Sequence, residues 1–152
     1  MTSPAVTLRP YRDADEAAAI ELWRRTWQIA YPKLDFNARL AWWRARWRAE
    51  LVPRATITVA EREGRMAGFV TVEPATGYLD QIVVAPEHWG SHIADDLVAQ
   101  AKRIAPAGLT LHVNVDNARA IRFYEKQGFA IAAEEKNPRS GAPIYRMTWT
   151  PG

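Results

Sequence analysis

The fold is decided by two segments, Val83-Val84-Ala85-Pro86-Glu87-His88-Trp89-Gly90-Ser91-His92-Ile93-Ala94 and, further along the chain, Asn117-Ala118-Arg119-Ala120-Ile121-Arg122-Phe123-Tyr124-Glu125-Lys126-Gln127-Gly128-Phe129. The first has the pattern of a strand that runs through a short loop into a helix, and the second that of a helix that ends at a glycine before another strand. A helix that starts from a loop leaves backbone N–H groups unpaired at the positive end of its dipole. The first segment therefore predicts an anion site, where Gly90, Ser91 and Ala94 are small enough for a diphosphate to approach the backbone.

The patterns on both sides of these segments predict a mixed α/β chain. A length of 152 residues with 48% hydrophobic residues fits one domain, which we expect to span residues 1–152. We predict strands over 6–9, 57–60, 67–72, 78–84, 109–113, 129–133 and 144–149. We predict helices from Asp13 through Trp27 and over 37–50, 93–104 and 117–127.

The two segments resemble the cofactor motifs of the GCN5-related N-acetyltransferases (GNATs). The family's loop has arginine or glutamine, two residues, glycine, one residue, then glycine or alanine. The matching positions here hold Trp89, His92 and Ala94, so only the last agrees. The helix motif of the family is matched throughout, by Asn117, Ala120, Phe123, Tyr124, Gly128 and Phe129.

The resemblance covers nearly the whole chain and implies a fold and an activity. The fold would be a GNAT-like α+β domain with a mixed, mostly antiparallel sheet of six to seven strands, about four helices and a splayed central strand pair. The activity would be transfer of an acetyl group from acetyl-CoA to a primary amine of a small molecule or a peptide, by direct attack in a ternary complex and without a metal. The residues implied for acetyl-CoA are Ile82, Val83, Val84, Trp89, Gly90, Ser91, His92, Ile93, Ala94, Asn117, Ala120, Phe123 and Tyr124.

The resemblance also implies an acid and leaves the base open. Tyr124 matches the tyrosine that protonates the departing CoA thiolate, and a tyrosine with its ordinary pKa of about 10 carries the necessary proton. For the base, strand alternation places Asp80 on one face with Ile82 and Val84. Asp80 is therefore the first candidate, and Glu73 at the end of the preceding strand is the second.

A segment rich in tryptophan and arginine, residues 39–54, has three interpretations. Trp43 and Trp47 recur at helical spacing and indicate core packing. The rings and cations would also suit single-stranded nucleic acid or a membrane surface. Within the resembled fold we favour part core and part wall of the acceptor pocket, with arginines receiving an anionic group of the acceptor. We predict the acceptor-binding residues Trp27, Tyr31, Trp43 and Asp80.

Other functions are less well supported by the sequence. His88 and His92 are four residues apart, but Pro86 and Gly90 break the continuous helix that a shared metal would need. The chain has no cysteine, so a thiol nucleophile is excluded. The absence of a long apolar run or secretory signal leads us to expect a cytoplasmic protein. The alternative function is a non-catalytic module in which Trp89 and His92 impair CoA binding, and nucleic-acid binding is a weaker alternative. For the oligomeric state, the sequence leaves a homodimer open.

Overall fold

A seven-stranded sheet with helices on both faces forms the body of the protein. The computed structural model describes residues 5–152. The sheet has the order β1-β2-β3-β4-β5-β7-β6. Its strands are β1 (Val6–Pro10), β2 (Thr56–Arg62), β3 (Arg65–Glu73), β4 (Tyr78–Val84), β5 (Leu109–Asn114), β6 (Ala130–Lys136) and β7 (Pro143–Trp149). The helices are α1 (Glu16–Ala30), α2 (Leu40–Arg46), α3 (Val52–Arg54), α4 (Ile93–Ile104) and α5 (Ala118–Lys126).

The centre of the sheet is splayed, as the resemblance implied. Neighbouring strands are antiparallel except β4 and β5, which are parallel and share one register pair, Tyr78 with Thr110. Beyond that pair the two strands diverge. The edge of β4 that faces β5 is therefore left open inside the molecule, where its backbone N–H and C=O groups need partners.

Two glycines hold the closed end of this splay. Gly77, with φ of +75°, lies so close to Gly108 that a Cβ on Gly77 would overlap the carbonyl oxygen of Gly108. The N–H of Thr110 donates to the carbonyl of Gly77 over 2.9 Å. Only residues without side chains allow this approach, so β4 and β5 start side by side and separate afterwards.

Each face of the sheet has its own hydrophobic core. On one face α4 buries Ile93, Leu97 and Val98 against the strands. On the other face α1 and the following helical segment bury a set of aromatic side chains, Trp23, Phe36, Trp43 and Trp47, against Phe69 and Val83. None of the helices within residues 5–152 is long and apolar enough to span a membrane.

Two helix predictions need correction. The helix expected over 37–50 is broken into a 3₁₀ turn (Asn37–Arg39), α2, a π-helical turn (Trp47–Leu51) and α3. Pro53 lacks the N–H for an i→i−4 bond and its ring crowds the preceding turn, which the wider π turn accommodates. The first α-helix begins at Glu16, and the carboxylate at its start is Asp15, which accepts from the N–H of Arg12 at 2.8 Å.

The alternation expected along β4 is interrupted by a bulge. Thr71 pairs with Gln81 and Val72 pairs with Leu79, so Asp80 is the extra residue. Leu79 consequently packs in the same core as Ile82 and Val84, whereas Val83 packs in the other core. A bulge re-aims side chains at one point of a strand, and strict alternation is therefore the wrong guide to the direction of Asp80.

Candidate active site

A cleft of about 940 Å³ opens where β4 and β5 diverge. One end reaches the loop between β4 and α4 and the first turns of α5. The other end passes under α1 and α2, on the side of the aromatic core. The cleft therefore joins the predicted cofactor loop to the predicted acceptor pocket.

The loop after β4 is held by contacts on both sides. Glu87 forms an ion pair with Arg25 of α1 at 2.8 Å, and this hydrogen-bonded partner lowers the pKa of Glu87 to about 2. Ser91 Oγ donates to the carbonyl of His88 at 2.6 Å. Gly90 has φ of +84°, a conformation that favours glycine. The small residues expected here thus serve a sharp turn that leads into the N-terminus of α4.

The two residues that depart from the family pattern occupy different places. The indole N–H of Trp89 donates to the carbonyl of Val84 at 2.8 Å, and the guanidinium of Arg119 lies 4.7 Å from the Trp89 ring centroid. Trp89 therefore lines the cleft as part of its wall. The His92 side chain is 96% exposed and lies 3.4 Å from Asp95. Its bulk points away from the cleft.

The N-terminal turn of α5 brings the second motif to the cleft. Asn117 caps this helix, since its Oδ1 accepts from the N–H of Ala120 at 3.2 Å. Tyr124 lies two turns further along and packs edge-on against Phe123 and Phe129, with ring centroids 5.4 and 5.7 Å away. Burial raises the pKa of the Tyr124 hydroxyl. The phenol is therefore protonated at neutral pH and can donate.

Most of the predicted cofactor residues meet at this cleft. Its lining includes Ile82, Val83, Val84, Trp89, Gly90, Ser91, Ala94, Asn117, Ala120, Phe123 and Tyr124. Among the described residues, two predicted members do not line it. Ile93 is 2% exposed and belongs to the core under α4, and His92 faces outward. A contribution of these two to an anion site would have to come from their backbone N–H groups.

The predicted acceptor residues line the other half of the same cleft. Trp27, Tyr31, Trp43 and Asp80 all belong to its wall. Trp27 and Tyr31 are stacked 5.6 Å apart at the end of α1. The Tyr31 hydroxyl accepts from Asn114 Nδ2 at 2.9 Å, which ties α1 to β5. Trp43 is 1% exposed, and its indole N–H has no hydrogen-bond partner within residues 5–152.

The two candidate bases are placed differently. Asp80 forms a two-point ion pair with Arg46 of α2, in which Arg46 Nη1 lies 3.0 Å from Oδ1. Its Oδ1 also accepts from Gln81 Nε2 at 3.0 Å. Both carboxylate oxygens of Asp80 are therefore engaged by neighbouring side chains. Glu73 is not among the described residues that line the cleft.

One polar cluster in the cleft was not anticipated from the sequence. The Tyr78 hydroxyl lies 2.8 Å from His112 Nδ1, and His112 Nε2 lies 2.8 Å from Glu135 Oε1. Both Tyr78 and His112 line the cleft. The sequence did hold a signal, since His112 alternates with the apolar Leu111 and Val113 in a predicted strand and therefore had to lie on the opposite face from them.

The tryptophan and arginine segment is part core and part cleft wall. Trp43 and Trp47 are 1% and 0% exposed. Arg46 is paired with Asp80, and Arg48 with Glu16. Trp42 lines the cleft. Of the rings that suggested nucleic-acid stacking, Trp43 and Trp47 are thus occupied in packing.

The two histidines of the loop after β4 have different neighbours. His88 Nδ1 lies 3.3 Å from Arg62 Nη1, whereas His92 lies beside Asp95. Within the part of the chain that the structure describes, no three His, Asp or Glu side chains form a group that could hold a metal ion.

Comparisons with known proteins agree with this site. The family model described as the Acetyltransferase (GNAT) family matches residues 17–129. The peptidyl-lysine N-acetyltransferase YjaB of Salmonella typhimurium is 30% identical, and the match covers 91% of this chain and 92% of that protein.

Two solved structures share the fold. A GCN5-related N-acetyltransferase from Rhodopseudomonas palustris has a TM-score of 0.80 and 23% identity over 99% of this chain and 98% of that one. The PaiA N-acetyltransferase of Thermoplasma acidophilum, solved in complex with coenzyme A, has a TM-score of 0.75 and 19% identity over 97% and 99%.

The chain belongs to the acetyltransferase (GNAT) family. It is an N-acetyltransferase whose acetyl donor is acetyl-CoA. The residues present fit this donor, because the edge of β4 beyond Tyr78 is not paired with β5 and the N-terminus of α4 offers N–H groups for a diphosphate.

Proposed function

We propose that this N-acetyltransferase acetylates lysine side chains of peptides. The observation that carries the proposal is the aromatic lining of the acceptor half of the cleft. Trp27 and Tyr31 stack on each other there, and Trp42 lies in the same lining. Flat apolar walls suit the four-carbon stem of lysine, and aromatic faces attract its ammonium group. The Salmonella relative, whose name describes a peptidyl-lysine N-acetyltransferase, supports the same acceptor.

Two cations favour an acidic residue near the lysine: Arg39, which lines this half of the cleft, and Arg139, which lies over the lining residue Trp42. The guanidinium of Arg39 lies 5.0 Å from the Phe36 ring centroid, and that of Arg139 lies 3.8 Å from the Trp42 ring centroid. Within residues 5–152, neither forms an ion pair with a carboxylate. A guanidinium positioned on a ring binds a carboxylate with two parallel hydrogen bonds. A peptide carboxylate can therefore complete these sites.

The residues of the donor half take the following roles. When bound, acetyl-CoA supplies the thioester carbonyl and the thiolate that leaves. Asn117 and the open edge of β4 hold the donor, and a backbone N–H of β4 stabilises negative charge on the carbonyl oxygen. Tyr124 donates its proton to the leaving sulfur. Asp80 keeps Arg46 against the acceptor wall. Glu73 is the second candidate for the base.

A panel of lysine peptides tests the proposal. We expect acetyl-lysine to form on peptides with aspartate or glutamate beside the lysine, at least tenfold faster than on the same peptides with asparagine or glutamine there. Arg39→Gln should remove most of that preference. Mass spectrometry of the products identifies the acetylated atom. Acetylation of N-terminal amines alone would contradict the lysine assignment.

Calorimetry with acetyl-CoA separates the enzyme from a non-catalytic module. We expect binding in the micromolar range, which corresponds to about 8 kcal/mol. Undetectable binding would favour the module, in which Trp89 has closed the donor half.

A further inference from the structure

We propose that Tyr78, His112 and Glu135 form a proton relay that serves as the general base of this enzyme, with the Tyr78 hydroxyl touching the acceptor amine. The proposal rests on the proposed acetylation of lysine. It assigns to the acceptor half of the cleft a function that neither Asp80 nor Glu73 is free to perform, since Asp80 is held by Arg46 and Glu73 is not among the described lining residues.

The geometry of the three residues carries the proposal. Tyr78 begins β4 at the closed end of the splay, His112 lies on β5, and Glu135 lies on β6. The hydroxyl of Tyr78 is 2.8 Å from Nδ1 of His112, and Nε2 of His112 is 2.8 Å from Oε1 of Glu135. Both distances are those of well-formed hydrogen bonds. Three strands thus contribute one continuous chain from the cleft to the protein surface.

The direction of the hydrogen bonds follows from the charge of Glu135. Its hydrogen bond to His112 lowers the pKa of Glu135, with Arg146 adding to the effect. The carboxylate is therefore ionised and accepts, so His112 carries its hydrogen on Nε2. Nδ1 is then the acceptor for the Tyr78 hydroxyl. This is the arrangement in which a carboxylate orients a histidine toward a hydroxyl.

The proton transfers balance without any further reactant. A lysine amine, with an ordinary pKa of about 10.4, arrives as ammonium and must lose a proton before attack. That proton passes to Tyr78 Oη while the phenol proton passes to His112 Nδ1. The neutral nitrogen then forms the C–N bond as the C–S bond of the thioester breaks, and Tyr124 protonates the leaving sulfur. The nitrogen loses its second proton, which replaces the proton that Tyr124 gave up, so that one proton remains to be released. The imidazolium, ion-paired with Glu135, releases the proton to water, which the 31% exposed His112 side chain can reach.

The surroundings of Tyr78 favour transfer through the phenol rather than a stored phenolate. Burial raises the pKa of Tyr78 to about 12, and the charge of Asp80 adds to this effect while Arg46 opposes it. The Tyr78 phenol therefore accepts a proton from the amine at the same time as it gives its own proton to His112. The titratable and charged groups facing the relay are Asp80 on β4, Arg46 on α2, Glu135 on β6 and Arg146 on β7.

Tyr78→Phe and His112→Gln test the relay with a lysine peptide as acceptor. We expect kcat/KM at pH 7 to fall by about 10² to 10⁴, the usual range for a lost general base. The loss should shrink as the pH approaches 10, because the ammonium then loses its proton to the solvent without help from the relay. Tyr145→Phe, which removes a phenol hydroxyl outside the cleft lining, is the matched control and should keep the wild-type pH profile. A loss of equal size at every pH, or no loss, would overturn the relay.

A measurement without substrate keeps this test separate from the proposed function. Nitrogen-15 NMR of the His112 ring at pH 8 should show hydrogen on Nε2 and a bare Nδ1. Glu135→Gln should weaken the preference for hydrogen on Nε2, because the carboxylate that accepts this hydrogen is gone. Hydrogen on Nδ1 would overturn the relay even if lysine acetylation were confirmed. If no lysine peptide is acetylated but the His112 ring has the expected hydrogen on Nε2, the assignment of lysine as acceptor is contradicted, and the hydrogen-bonded arrangement of Tyr78, His112 and Glu135 is supported.

Discussion

Arg46 of α2 and Asp80 at the bulge of β4 form a two-point ion pair under the acceptor half of the cleft. Both side chains are shielded, with 25% and 13% of their surfaces exposed. A shielded pair of this kind is costly to break from one side, because the remaining charge loses its partner. The pair therefore couples the position of α2 to the floor of the active site.

We expect Asp80→Asn to lower the free energy of unfolding by about 2 kcal/mol, the scale of a lost charged hydrogen bond. Arg46→Met should cost a similar amount, and the double variant less than the sum, because the two residues are in contact. Urea denaturation measures all three. In kinetics, Asp80→Asn should raise the acceptor KM at every pH. Recovery of kcat at high pH would instead identify Asp80 as the base.

Tyr124→Phe should lower kcat by about 10² or more while leaving the acetyl-CoA Kd within threefold. The hydroxyl protonates the leaving sulfur only during reaction, so its loss affects the transition state more than the bound donor. Steady-state kinetics and calorimetry give the two quantities, with Tyr145→Phe again as control. Equal changes in kcat and Kd would show that Tyr124 acts in binding.

His92→Gly restores the residue of the family pattern and should change the acetyl-CoA Kd by less than threefold. The imidazole is 96% exposed and faces away from the cleft. Trp89→Ala is the informative counterpart, because Trp89 lines the cleft and holds the carbonyl of Val84. Calorimetry on both variants compares them. A tenfold gain in affinity for His92→Gly would mean that the ring obstructs the diphosphate.

The contacts of Asp15 at the start of α1 should make the free energy of unfolding depend on pH. The hydrogen bonds from Arg9 lower the pKa of Asp15, with the N–H of Arg12 contributing as well. A carboxyl group whose pKa is lower in the folded state stabilises that state when the pH is above the ordinary pKa of about 3.9. This stabilisation is lost as the pH falls through the folded-state pKa.

We therefore expect Asp15→Asn to cost about 1–3 kcal/mol at pH 7. The difference from wild type should shrink below about pH 4. Thermal melts of both proteins across this range provide the measurement. A difference that grows in acid would contradict the assignment.

Gly77→Ala should destabilise the protein by more than the ~1–2 kcal/mol that a left-handed backbone conformation costs a residue with a side chain. The added methyl group would overlap the carbonyl oxygen of Gly108. Gly64→Ala is the matched control, since Gly64 has φ of +73° but nothing within 4 Å of a Cβ. Denaturation of the two variants separates backbone strain from the steric effect. Equal losses would show that the approach of Gly77 to Gly108 is not constrained.

The elements with strong local signals were predictable from the sequence. The strand over 78–84 agrees with β4 at both ends, and the motif from Asn117 to Phe129 forms a capped helix followed by a strand. The apolar alternation of β5 was equally readable. These features depend on periodicity, capping and turn residues, which act over a few positions.

The features that the sequence did not predict depend on contacts between residues far apart in the chain. The bulge at Asp80 arises from the pairing of β4 with β3, and it shifts the alternation of the residues at the start of β4, so that Leu79 shares a core with Ile82 and Val84. The pairing of His112 with Glu135 joins residues 23 apart in sequence. Neither has a local signal strong enough to identify it, since which strand neighbours which is a property of the whole sheet.

The contact of Gly77 with Gly108 also bears on how substrate choice can change in this protein. The gap between β4 and β5 opens from the backbone contact of Gly77 with Gly108. Exchanging side chains around the acceptor therefore does not set the width of the gap. The aromatic part of the acceptor wall comes from α1 and α2, and the β6–β7 hairpin adds to it; these elements are separate in sequence from that contact. New substrates can therefore be engineered by replacing those walls, while the slot that receives the acetyl donor stays the same.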